Sequence, residues 1–193
     1  MKNRHDDTAP WIDGGSDLPT PQECLRILGV YSVPRQIVRH SQKVAVLATK
    51  LAVDLRAACP PGPDVSLVQA AALLHDIAKA SSRAGLADHA VQGGRILRAL
   101  GMPRVAHLVD LHIDPGSAGP SANISDAEIL AYSDKRVLHQ RVVSLNERFD
   151  DLLRRYGGTE GQASVRTAGR NMLSLQERIF RLLPYSPESL GTA

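Results

Sequence analysis

Apolar residues recur along this chain at intervals of three and four, never in sustained alternation, so the pattern predicts helices throughout. Thr20-Pro21-Gln22-Glu23 reads as a capped helix start, with Thr as N-cap, Pro in the first turn and Glu three residues on; Gly29 is the expected stop. Pro34 opens a second helix, which runs to about Ala58 before Cys59-Pro60-Pro61-Gly62-Pro63 forbids continuation. Its apolar face is Ile37, Val44, Leu47, Leu51 and Leu55, and His40 falls on that same face. Ser66-Leu67-Val68-Gln69 is read as the cap of a third helix, carrying the aliphatic run Ala70–Leu74 and then His75-Asp76. Asp88 is the expected N-cap of a fourth, which ends before Gly101 and has His89 in its first turn. Pro103–His112 forms a short helix with Val105, Leu108, Val109 and His112 on one side and His107 on another. Ser125-Asp126-Ala127-Glu128 caps a helix whose inward positions lead to Ser133 and Asp134, and Ser144-Leu145-Asn146-Glu147 caps the next, ending at Gly157-Gly158. A last amphipathic segment spans about Gln162–Leu183. No segment reads as a strand, and the expected architecture is an all-α compact helical bundle.

The 193 residues suffice for one domain with a buried core. Three regions are expected: a tail at 1–19, in which Trp11-Ile12 could dock on the body; a helical domain at 20–156; and a C-terminal helical extension at 157–193, which packs on the domain or on a partner subunit in a homodimer. The polar N-terminus and the absence of a membrane-length apolar run predict a cytoplasmic protein without membrane contact. Cys24 and Cys59 have no metal-type spacing. A net charge of +3, scattered basic residues and few aromatics give no ground to expect nucleic acid as a partner.

Ionisable residues placed on apolar faces change this picture. An imidazole and a carboxylate in a buried segment are costly unless paired or bound to a cation. One such pair can be a hydrogen-bonded core feature. Here His40, His75, Asp76 and Asp134 all face inward from separate helices, with His89 and His112 besides. Inward ligands on facing helices are how metal sites are built in bundles. Imidazole mixed with carboxylate and no thiolate suits Mn, Fe, Zn or Mg.

The order His…His-Asp…Asp, with the strings Arg39-His40-Ser41, Leu74-His75-Asp76-Ile77-Ala78-Lys79, His89-Ala90, Gly93-Gly94, Val109-X-X-His112 and Ser133-Asp134-Lys135, resembles the HD-domain metal-dependent phosphohydrolase superfamily. The likeness is greatest to its small HDIG-type members, including the YqeK-like dinucleoside tetraphosphate hydrolases. It covers about residues 24–156. The resemblance implies that His40, His75, Asp76 and Asp134 hold a first metal and that His89 and His112 complete a second, bridged by Asp76. It also implies a water-activating centre acting on a phosphate ester or anhydride of a nucleotide or dinucleoside polyphosphate, with two divalent or trivalent transition-metal ions, Mn or Fe first, as cofactor. Asp76 and Lys79 become the expected catalytic residues, and Lys135, Arg136 and Arg141 the expected phosphate contacts. Four positions depart from the family pattern: Ala78 replaces a Gly, Ile113 a second His and Ser133 an Ala, while Lys79 stands where mononuclear nucleotidases carry a carboxylate. A nucleotide-binding regulatory module with little turnover is the alternative; a purely structural bundle would leave six inward polar residues as coincidence.

Overall fold

The computed structural model describes residues 18–81, 85–116, 123–155 and 158–190. Within them the chain is an all-α bundle of eight helices with one two-residue-wide hairpin. The helices are α1 (Pro21–Val30), α2 (Arg35–Ala58), α3 (Val65–Leu74), α4 (Gly85–Ala99), α5 (Pro103–Leu111), α6 (Asp126–Lys135), α7 (Leu145–Arg155) and α8 (Thr159–Arg181). Trp11-Ile12, with the rest of the expected tail to residue 17, lies outside the described residues, as do 117–122 of the loop after α5, Gly157, and the Asp88 side chain.

The core is aliphatic. Val44, Leu47, Leu51 and Leu55 of α2 are buried against Leu67, Ala70, Ala71 and Leu74 of α3, while Ile129, Leu130 and Tyr132 bring α6 into the same cluster. α6 is buried on every side from Ala127 to Lys135, which is why its hydrophobic pattern shows little preference for one face. α8 packs on α7 and α6, and the following turn at Pro187–Ser189 accepts a hydrogen bond from Arg136.

Both strongest capping signals form as expected. Thr20 and Glu23 exchange side-chain and backbone hydrogen bonds at the start of α1, and Ser125 and Glu128 do the same for α6. Four boundaries differ. Gly29 lies inside α1, which runs on to Val30; the left-handed residue after it is Ser32, at φ 51°. The N-cap of α3 is Asp64 rather than Ser66, its carboxylate accepting from the Leu67 N–H. α4 begins at Gly85 rather than after Asp88, so His89 lies beyond the first turn.

The fourth difference shapes the site. His75-Asp76 lies not in a helix but in the tight turns that follow α3. His75 donates Nδ1–H to the Ala72 carbonyl at 2.9 Å, the acceptor that the Asp76 N–H would need for α-helix to continue. The chain tightens instead into three-residue turns, Ile77 to Leu74, Lys79 to Asp76 and Ser81 to Ala78.

The expectation of no strands is also corrected. Val137–Leu138 pairs antiparallel with Arg141–Val142 around a two-residue connection containing His139 at φ 57°. Four ladder residues are too few to show alternation.

Candidate metal centre

Six side chains converge: His40 from α2, His75 and Asp76 from the turn after α3, His89 from α4, His112 at the end of α5 and Asp134 near the end of α6. All are buried.

Three of the four site histidines are aimed by backbone carbonyls. A carbonyl oxygen only accepts, so each Nδ1 bonded to one carries the proton and leaves Nε2 to face inward. His75 does this through Ala72 at 2.9 Å, His112 through Val109 at 2.7 Å and His40 through His139 at 3.1 Å. His75 and His112 occupy the C-cap positions of α3 and α5, so two helix C-termini, each carrying partial negative charge, point at the cluster. That field favours a cation. The Gly93-Gly94 pair of α4 lets α5 approach. A Cβ at Gly93 would stand 3.1 Å from Val109 Cγ1 and 3.3 Å from Ile77 Cγ2, and one at Gly94 would meet the Asp110 carboxylate.

Inward-facing donors form two groups that share Asp76: His40, His75 and Asp76, and Asp76, His89 and His112. Asp76 Oδ2 lies 3.3 Å from His75 Nε2 and 3.9 Å from His40 Nε2, whereas Oδ1 lies 3.2 Å from His89 Nε2 and 3.9 Å from His112 Nε2. Asp134 Oδ1 joins the first group, 3.0 Å from His40 Nε2 and 3.6 Å from His75 Nε2. His89 and His112 bring their Nε2 atoms to 3.1 Å. Donors bonded to one cation at about 2.1 Å lie roughly 3.0–3.4 Å from each other, so these separations are close to those of a ligand shell. His75 Nε2 and Asp76 Oδ1 are buried without any hydrogen bond. Two orphaned polar atoms at the centre of a histidine–carboxylate cluster fit a cation as their common partner.

Electrostatics agree. Burial alone would lower the His75 pKa, but the charges of Asp76 and Asp134 outweigh it and raise the group to about 10. Burial likewise pushes both aspartates up; His75 together with Lys79 reverses this for Asp76, and Lys135 with His40 and His75 does so for Asp134, leaving both well below the ordinary carboxylate range. His112 is held neutral, pushed down to about 3 by burial and by the positive charge of His75.

Of the four basic residues expected at the site, two are brought to it. Lys79 Nζ lies 2.7 Å from Asp76 Oδ2, and Lys135 Nζ lies 2.5 Å from Asp134 Oδ2. Arg136 is instead spent on structure. It is buried, donating to the carbonyls of Val143 and Pro187 and to the Tyr132 hydroxyl, where it ties α6 to the hairpin and the C-terminal turn. Its place at the helix C-cap, one residue past Lys135, turns it away from the centre. Arg141 is on the outer strand, 70% exposed and paired with Glu147 at 3.0 Å. His139 was not among the expected site residues. It contributes its carbonyl, and a backbone group leaves no mark in a sequence beyond the conformation it demands.

The HD domain family model matches residues 37–147, so the chain belongs to the HD domain family. Among curated relatives, a tRNA (cytidine(56)-2'-O)-methyltransferase of Thermoplasma volcanium is 37% identical over 100 residues, 51% of this chain and 27% of the relative. A protein of the same name from Picrophilus torridus is 28% identical over 146 residues, 69% of this chain and 40% of its own. Ribonuclease Y of Chloroflexus aurantiacus is 34% identical over 82 residues, 42% of this chain and 15% of its own. The chain therefore spans well under half the length of each. None of the three is a dinucleoside tetraphosphate hydrolase by name. No solved structure matches the chain. Among the described residues no helix is long and apolar enough to cross a membrane.

Proposed function

We propose that this HD domain is a metal-dependent phosphohydrolase acting on a phosphate ester or anhydride, with nucleotides and dinucleoside polyphosphates as the substrate class. The observation that carries the reading is the division of Asp76, one oxygen toward His75 and His40 and the other toward His89 and His112. A carboxylate so placed can bridge two cations, with His40, His75 and Asp134 completing one shell and His89 and His112 the other. When bound, a divalent cation there supplies Lewis acidity toward phosphoryl oxygen and a water activated near neutral pH.

The chain's own residues set the charge. With neutral imidazoles, the two carboxylates are matched by the ammonium groups of Lys79 and Lys135, so each cation added makes the centre positive and suited to an anionic substrate. Of the two lysines paired with these carboxylates, Lys79, 38% exposed, is the one that a substrate phosphate can reach from solvent. Burial of the other ligands keeps bulk water from competing for them.

The test is turnover by the manganese-loaded protein on nucleoside mono- and diphosphates, cyclic nucleotides, a dinucleoside tetraphosphate and a short RNA, the last because Ribonuclease Y by its name cleaves RNA. Release of phosphate or nucleotide that chelation abolishes supports the reading. Bound metal without turnover of any phosphorylated compound would make this a nucleotide-binding module instead.

A further inference from the structure

We infer that Lys135 is a positioning residue for the metal ligand Asp134 rather than a contact for substrate phosphate; this rests on the metal-binding part of the reading above. The two lysines bonded to the centre's carboxylates differ in one decisive way. Lys79 keeps 38% of its side chain exposed, whereas Lys135 keeps 10% and lies at the end of a helix that is buried on all sides. Its ammonium is already committed, 2.5 Å from Asp134 Oδ2. Asp134 thus divides its oxygens: Oδ2 accepts from Lys135, and Oδ1 is turned toward His40 Nε2 at 3.0 Å and His75 Nε2 at 3.6 Å.

Asp134 and Lys135 are neighbours about 100° apart on α6, so their side chains can meet only if the lysine stem curls back along the helix. A buried ammonium is costly, and this pairing offsets the cost while removing the alternative rotamers of the carboxylate. The other first-group ligands are held the same way by partners outside the centre, His75 by the Ala72 carbonyl and His40 by the His139 carbonyl. For Asp134 that outside partner is the Lys135 ammonium at Oδ2. Partners of this kind are worth about 10–100-fold in metal affinity.

The experiment is calorimetric titration of manganese into metal-free wild type, Lys135→Met and Lys135→Gln, with thermal melts of each, followed by kcat and KM at saturating metal on whichever substrate the panel identifies. The expected result is a metal Kd raised about 10–100-fold in Lys135→Met, less in Lys135→Gln, which keeps a neutral donor, and an unchanged KM once metal is saturating. If Lys135→Met does not fold, Lys135→Gln alone is read, with a metal Kd raised more than twofold expected. A metal Kd within twofold of wild type in a folded variant overturns the assignment, and so does intact metal affinity with a raised KM, which would make Lys135 a phosphate contact. The titration needs no substrate: failure of the hydrolase reading appears as lack of turnover, and failure of this one as unaltered metal affinity.

Discussion

Replacing Asp76 by Asn keeps the side chain's shape and removes its charge. Asp76 is 1% exposed, with Oδ2 near His75 and Lys79 and Oδ1 near His89 and His112. Each candidate shell then loses its only shared anionic donor, and an amide NH2 turned toward either group opposes a cation. Losing a ligand costs at least as much as losing a partner that orients one, so affinity should fall by more than about 100-fold, roughly 2.7 kcal/mol or more. Stability should respond differently. Breaking a buried ion pair costs about 3–5 kcal/mol when a buried charge is stranded. Here the cations left behind escape that fate. Lys79 is partly exposed and can hydrate, and His75 loses a principal cause of its raised pKa and becomes neutral more readily. The metal-free variant should therefore remain folded and lose less than the about 3–5 kcal/mol of a stranded buried charge. Calorimetric titration with manganese and melts of both metal-free proteins decide the matter. An Asp76→Asn protein that binds manganese with wild-type affinity would show that Asp76 is no metal ligand, and one that is unfolded without metal while wild type is not would show that the carboxylate holds the fold.

Gly93→Ala should destabilise the protein by about 1–3 kcal/mol, because the new methyl crowds Val109 and Ile77 where α4 meets α5 and the turn after α3; an unchanged melting temperature would remove that close approach as the reason for the glycine. Metal-free protein should be most stable near pH 6–7. The raised pKa of His75 contributes stability that is fully present below its unfolded value near 6.5 and is lost as pH rises through about 10, while the lowered pKa of His112 loses stability as pH falls from about 6.5 toward 3; melts across pH 4–10 check both limbs. Manganese must displace the His75 proton, so its affinity should rise about tenfold per pH unit below 10, with one proton released per ion in that group.

Much of the bundle was legible because its signals are local. Thr20 with Glu23 and Ser125 with Glu128 satisfy exposed helix-start N–H groups within four residues, and the structure forms both. The inward aspect of His40 followed from its spacing to Ile37 and Val44 on one face. What escaped depended on competition between partners. Asp64 and Ser66 both suit the start of α3, and the extended backbone at Asp64 decides in its favour. The end of α3 has no glycine or proline; it is made by His75 taking the Ala72 carbonyl, an event that the same aliphatic run does not announce. Lys135, Arg136 and Arg141 looked alike as a basic stretch. Only the packed α6 C-terminus separates a lysine on a ligand, an arginine tying down the C-terminal turn and an exposed surface pair.

Metal stoichiometry reports directly on whether Asp76 joins two cation shells. Wild type saturated with manganese or iron and freed of excess should hold close to two equivalents, and His112→Ala, which removes a donor from the Asp76–His89–His112 group alone, close to one, with activity strongly reduced. A fully active wild type that saturates at one equivalent would contradict the claim and leave His89 and His112 outside the ligand set.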